Sequence, residues 1–401
     1  MQHEKELRDH HFEVREWRDT ELRLQAAAKA GGVTVLSYDD TSALGFPRTT
    51  NRAVKGVPTD RVNMTPFNLT NHGTGENIYI YDFKGKWNHG GDRLCTILYT
   101  ILYRIKFKPD AECTPVELAQ KVCPNLVLMA DNCAENKNNT LFAFLSELVL
   151  RGWYQNIQML FGPVGHTHNG NDAVHHVHNN LAGNFFSTTP ADFFRNYAFA
   201  WTDTISKPQP IIMESQFGWA ERYDPVMNKV SGFTTTANQP LAIHAFCFSM
   251  MGDGSRTCQM RVKGSPSDPH WYGVNSVRDS PGFVILLRAP DGFPLPKRPT
   301  KFRIQTEYLN RIKGKRIRDL CLGECKGDGT QYEELVQIAS TLTLPSGGVV
   351  TAAEFASLGR AKQKALSGYG TIEVIGVGYA PYVVPFIRDR GTHQTEEAFW
   401  T

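Results

Sequence analysis

The chain has 401 residues, 41% of them hydrophobic and 21% charged, with a formal net charge of +3. That is enough apolar material for packed cores in two or three domains and excludes wholesale disorder. No run of about 18 apolar residues occurs, which excludes a spanning helix, and a balance of +3 is too small to argue for nucleic acid by itself.

Residues 3–30 carry a charged pattern that predicts a helix, stopped by Gly31-Gly32. Such a leading segment is no secretory signal. It has little to bury beyond Phe12 and Trp17, so it is expected to lean on an upstream region or another chain. Strands follow at 33–40, 62–69 and 77–83, the last alternating apolar and polar residues. Gly90-Gly91 opens a helix through 94–105. LVLMA (126–130) is a strand and 140–153 is a helix apolar all round. IQMLFGPVG (157–165) reads as strand and turn, and a further helix starts near 171. Three consecutive strands suggest an antiparallel meander, and strands alternating with helices suggest parallel additions. Beyond about 205, Pro, Gly and aromatics become frequent. Short strands at FCFSMM, CQMRVKG and FVILLRAP suggest a small all-β domain, with Trp201, Trp219 and Trp271 in its core. The tail holds a helix near 351–367 and a strand at TIEVIGVGYA. The expected division is a leading helix at 1–30, an α/β core at 31–200, a β-rich domain at 201–296 and a basic, then α/β, C-terminal region at 297–401. The eight cysteines, at 95, 113, 123, 133, 247, 258, 321 and 325, form no C-x-x-C pair. Reduced, intracellular thiols are expected, rather than a disulfide framework or a zinc ribbon.

Three carboxylates stand at the ends of core elements. Asp39 ends the first strand, Asp131 ends LVLMA, and Asp172 opens the helix after GHTHNGN; they are 92 and 41 residues apart. An interior strand ending in Asp delivers a carboxylate to the sheet rim, where ligands bind in α/β sheets. Singly, each Asp is equally a cap or turn residue. Jointly, three such groups suit hard divalent cations, which take oxygen ligands, and paired metals serve in-line phosphoryl transfer.

The residues around these positions carry a resemblance. LSYDDTSALGFP (36–47), MADNCAENKNN (129–139) and GHTHNGND (165–172), with WNHGGDRLCTIL (87–98) between the first two, resemble the RNase H-like DDE/DDD transposases and integrases. The nearest likeness is to a eukaryotic, mobile-element-derived family of undefined function. Where that family often has Gly after the Cys, this chain has Ala134, but the N-K-N run is intact. The resemblance implies an RNase H-like mixed sheet flanked by helices and a metal-binding, catalytic triad of Asp39, Asp131 and Asp172. It further implies Mg²⁺ or Mn²⁺ as cofactor, DNA as partner, a nuclear location and DNA strand cleavage and joining. Homo-oligomers and an upstream DNA-targeting region or partner chain are also in view, and no membrane.

Several residues support this constellation, with alternatives open. Glu135 is a possible extra metal ligand. Asn132 and Asn136 either orient Asp131 or cap the next helix. Lys137 either touches a phosphate or is solvated. His166, His168 and His176 either contact the substrate, hold structural hydrogen bonds or bind zinc, and Asp172 and His176 share a helix face at i, i+4. Residues 297–318 hold nine basic groups (Lys297, Arg298, Lys301, Arg303, Arg311, Lys313, Lys315, Arg316 and Arg318) against Glu307 alone. This is the footprint of a phosphate-backbone binder or, equally, a solvated face or import signal. Besides the transferase, two readings stand: a catalytically inactive, domesticated DNA-binding protein and, more weakly, a zinc-dependent hydrolase built on the histidines.

Overall fold

The computed structural model describes residues 2–41, 43–46, 62–83, 90–131, 133, 136–162, 174–180, 193–194, 197, 208–213, 216–224, 244–250, 258–263, 271–273, 284–287, 341–343, 349–351 and 372–374. Helix α1 (Gln2–Lys29) leads into β1 (Thr34–Asp40), β2 (Leu44–Phe46), β3 (Val62–Asn71) and β4 (Glu76–Phe83). Then come α2 (Gly91–Phe107), α3 (Pro115–Val122), β5 (Asn125–Ala130), α4 (Asn139–Leu150) and β6 (Asn156–Phe161). Residues 174–180 form helix α5. They are followed by β7 (Gln209–Met213), α6 (Trp219–Tyr223), β8 (Ala245–Met250), β9 (Cys258–Lys263), β10 (Tyr272–Gly273) and β11 (Val284–Leu287). A two-stranded ribbon pairs β12 (Thr341–Thr343) with β13 (Val349–Thr351), and β14 (Ile372–Val374) ends the described chain.

The meander and the parallel additions are both present. β1 pairs antiparallel with β3, and β3 with β4, while β5 lies parallel to β1 and β6 parallel to β5. The result is a mixed α/β sheet in the order β10-β9-β8-β6-β5-β1-β3-β4-β7-β14. One point departs from the expected division. The strands read as a separate β-rich domain pair instead into this sheet, β8 running antiparallel along β6 and β9 along β8. Alternation cannot reveal this, because FCFS presents the same pattern whichever strand it joins.

Helices cover both faces. Leu36, Tyr38, Phe67, Leu69, Leu128, Met159 and Phe246 share one core with α2, α4 and Trp219 of α6. Val35, Val127, Met129 and Leu160 face the other way, against Trp17 and Ala28 of α1. The leading helix therefore finds its partner in this chain. Its Val14, Trp17, Glu21 and Ala28 are buried, while Phe12 and Leu22 stay exposed. Gly31 ends α1 at φ 77, and a Cβ there would meet the Ala119 Cβ at 2.8 Å. Both facts require glycine. Trp219 stacks edge-on to Phe144 in the main core, and Trp271 lies under the Lys263 ammonium; Trp201 is outside the described residues. Of the helix expected near 351–367, Thr351 is instead the last residue of β13, and 352–367 lie outside the described residues. Among the described residues no helix is long and apolar enough to cross a membrane.

Candidate functional site

The site starts from strand register. β1 and β5 pair Thr34 with Leu126 through Ser37 with Met129. That offset is the interval separating Asp39 from Asp131. Continuing it puts both residues at the same rim of two adjacent parallel strands, whose axes lie about 4.8 Å apart. On the other side of β1, Asp39 pairs with Asn68 of β3, and Asn68 pairs with Tyr79 of β4. Paired residues share a sheet face. Asp39, Asn68 and Tyr79 therefore form one polar row on the face opposite Tyr38, with Asp131 at the end of the next strand.

Asp131, Asp39 and Tyr79 each have defined neighbours. Asp131 accepts a 2.6 Å hydrogen bond from the Asn136 side chain, which also reaches the Asp131 carbonyl at 3.3 Å. Asn136 is thus the residue that orients the carboxylate. The cap of α4 is a different asparagine, Asn138, whose side chain accepts from the Leu141 N–H at 2.8 Å. Capping of α4 by Asn136 is thereby corrected, since the helix begins at Asn139. Lys137 is not solvated. It is 1% exposed, its ammonium sits 4.7 Å from the centre of the Phe161 ring, and burial lowers its pKa to about 8 against the opposing pull of Cys133 and Asp131. Close approach of α2 fixes this loop from behind, since a Cβ on Gly91 would meet the Asn138 Oδ1 at 2.6 Å.

The adjacent pair Asp39-Asp40 is split between two roles. Asp40 receives Arg93 of α2 through both carboxylate oxygens at 3.0 Å, and the same guanidinium binds buried Asp82 at 2.7 Å. Asp39 points to the opposite face, where its Oδ2 lies 3.7 Å from the His175 Nε2.

His175 and His178, one turn apart on α5, dock on β4. The Tyr79 hydroxyl and the His175 Nδ1 are 2.7 Å apart, and the Tyr81 hydroxyl and the His178 Nε2 are 3.0 Å apart. His178 also stacks on Tyr79 with ring centres at 4.4 Å. Burial, with Tyr197 and Asp39 nearby, pushes the Tyr79 phenol far above its ordinary pKa, so it remains a neutral hydroxyl. The histidine singled out from helical spacing, His176, instead faces solvent and meets the Asn180 side chain at 2.9 Å. Of the adjacent pair His175-His176, the sequence reading favoured His176, and Tyr79 and Asn68 were missed. The alternation of NIYIYDF carried the signal for Tyr79, but no local pattern pairs it with His175.

Asp172, Asn132, Glu135, His166 and His168 lie outside the described residues, as do the nine basic positions of 297–318. Among the described residues, no group of three or more His, Cys, Asp or Glu is placed to hold a metal ion. Asp39 and Asp131 are brought to one rim, and residue 175, three positions beyond Asp172 in sequence, approaches the first of them.

No curated protein and no solved structure matches the chain. A family described as a domain of unknown function (DUF7869) matches residues 62–265, a span that contains Asp131 and Asp172 and begins after Asp39. That match covers half of the sequence, and the chain belongs to the DUF7869 family.

Proposed function

We propose that this protein is an RNase H-like polynucleotidyl transferase that cuts and joins DNA with divalent metal held by Asp39, Asp131 and Asp172. The observation that carries the reading is the register of β1 and β5, which brings Asp39 and Asp131 to one rim. An antiparallel trio extended by two parallel strands is the kind of mixed sheet that the RNase H-like resemblance implies. The three motif segments that carry the resemblance add to it.

The residues fit a hard divalent ion, because carboxylate oxygens at a sheet rim are the ligands Mg²⁺ and Mn²⁺ take. Such an ion would supply charge stabilisation to an in-line displacement at phosphorus. The chain's own groups do the rest. Asn136 fixes the Asp131 carboxylate by donating to its Oδ1. Lys137, ordinarily cationic at neutral pH even with its lowered pKa, adds a buried positive charge near Asp131 that favours an anionic phosphodiester. The basic run at 297–318 would hold the flanking backbone.

Strand cleavage and transfer on oligonucleotides in Mg²⁺ or Mn²⁺, comparing wild type with Asp131→Asn, tests the reading. Losing a metal ligand removes several kcal/mol of transition-state stabilisation, so activity is expected to fall at least about a thousandfold. Equal activity in the two proteins would exclude catalysis by this triad. Wild-type inactivity with metal-independent DNA binding would favour the domesticated, non-catalytic reading.

A further inference from the structure

We propose that His175 is a nitrogen ligand of this metal site, so that the site takes Mn²⁺ and similar transition ions in preference to Mg²⁺; the inference rests on the carboxylate reading above. The His175 Nε2 stands 3.7 Å from the Asp39 Oδ2. Two donors each about 2.1 Å from one ion are separated by about 3.0–3.4 Å, so a closure of a few tenths of an ångström suffices. The ring is already built into a supporting shell of the kind that metal-bound histidines carry on their second nitrogen. Its Nδ1 is 2.7 Å from the Tyr79 hydroxyl, its ring meets Tyr79 edge-on at 5.8 Å, and only 6% of the residue is exposed. Tyr79 is itself clamped by the stacked His178. With Tyr79 accepting from the Nδ1–H, the Nε2 is the unprotonated nitrogen, able to serve as a ligand, and it lies 3.7 Å from the Asp39 Oδ2. The helical dock also explains why α5 rests on β4, two strands from β1: the histidine spans Asn68 to reach Asp39. An imidazole among carboxylates shifts preference from Mg²⁺ toward the later divalent ions.

The test uses the full chain, with Mn²⁺ and Mg²⁺ as the probes. Calorimetry measures affinities, and pulsed electron paramagnetic resonance of bound Mn²⁺ reads nitrogen coupling, for wild type, His175→Ala, His175→Gln and Asp131→Asn. Wild type is expected to show nitrogen modulation that both His175 variants lose. Their Mn²⁺ affinity should fall about tenfold or more while Mg²⁺ affinity changes less than about threefold. Asp131→Asn should weaken both ions. Mn²⁺ bound through Asp131 without nitrogen modulation, or with modulation that survives in a folded His175 variant, overturns the inference and leaves the carboxylate reading standing. Absence of binding by wild type at millimolar metal overturns both.

Discussion

At the level of single residues, the chemistry of this protein turns on which of several like groups points where. Two adjacent aspartates end β1, and only one has the Arg93 guanidinium against it. Two adjacent histidines open α5, and only one approaches Asp39. Three asparagines crowd the loop after β5, and the described two divide the work, Asn136 orienting and Asn138 capping. His72 belongs to the same face. Its Nε2 lies 2.8 Å from the Ser37 Oγ, two residues before Asp39, and burial lowers its pKa to about 4, with Lys29 adding to the effect. The sign follows from linkage. Between pH 6.5 and 4 the unfolded chain binds a proton that the folded chain refuses, so stability rises with pH across that window and is flat above it for this group. A shift of that size corresponds to a loss of roughly 3 kcal/mol on acidification. Urea midpoints for wild type and His72→Gln at pH 7 and pH 4.5 check this. The variant should lose distinctly less stability on acidification, and an unchanged difference would assign the acid sensitivity elsewhere.

Among the elements, α2 ties the site to the core. Arg93 is 4% exposed and bridges Asp82 of β4 and Asp40 of β1, with its guanidinium 5.4 Å from the Phe67 ring centre. Removing it strands Asp82, which is 2% exposed, as a buried charge. Arg93→Met is expected to destabilise by about 3–5 kcal/mol in urea unfolding. Asp40→Asn, at the half-exposed end of the network, should change stability by about 1 kcal/mol or less. Comparable effects from the two would mean that Asp82 is not the charge at stake. Most elements could be read from the sequence, because glycine stops, apolar runs and alternation are local signals. Gly31, LVLMA and NIYIYDF each name their own element. Helix α3 was overlooked although its capping box was written in Thr114, Pro115 and Glu117, whose reciprocal bonds measure 2.7 and 3.3 Å. Asp39 and Asp40 are adjacent in sequence, and what gives them different surroundings is Arg93, 53 residues beyond Asp40, a pairing that no local pattern carries.

Across the whole molecule, one sheet joins segments that composition had separated. The shift toward Pro, Gly and aromatics beyond residue 205 marks a change in local chain character, and it does not coincide with a break in the sheet. Pairing partners at long sequence separation are set by which apolar faces meet, and FCFS finds its place because Phe246 and Phe248 fit beneath α4. Phe246 is fully buried, with ring centres 4.8 Å from Phe142 of α4 and 5.7 Å from Phe161 of β6. Phe161 in turn lies under Lys137, so β8 props the floor of the candidate site. This arrangement predicts that Phe246→Ala is felt everywhere. Truncating a buried phenylalanine should lower stability by about 3–5 kcal/mol. The loss should appear as a displaced transition shared by probes on both sides of residue 201, such as hydrogen exchange in β5 and in β9. A small independent β domain predicts the opposite pattern. Protection in β9 would then fall while β5 kept its wild-type value. With the sheet continuous, β5 loses protection together with β9, because the strand that carries Asp131 is separated from β8 only by β6.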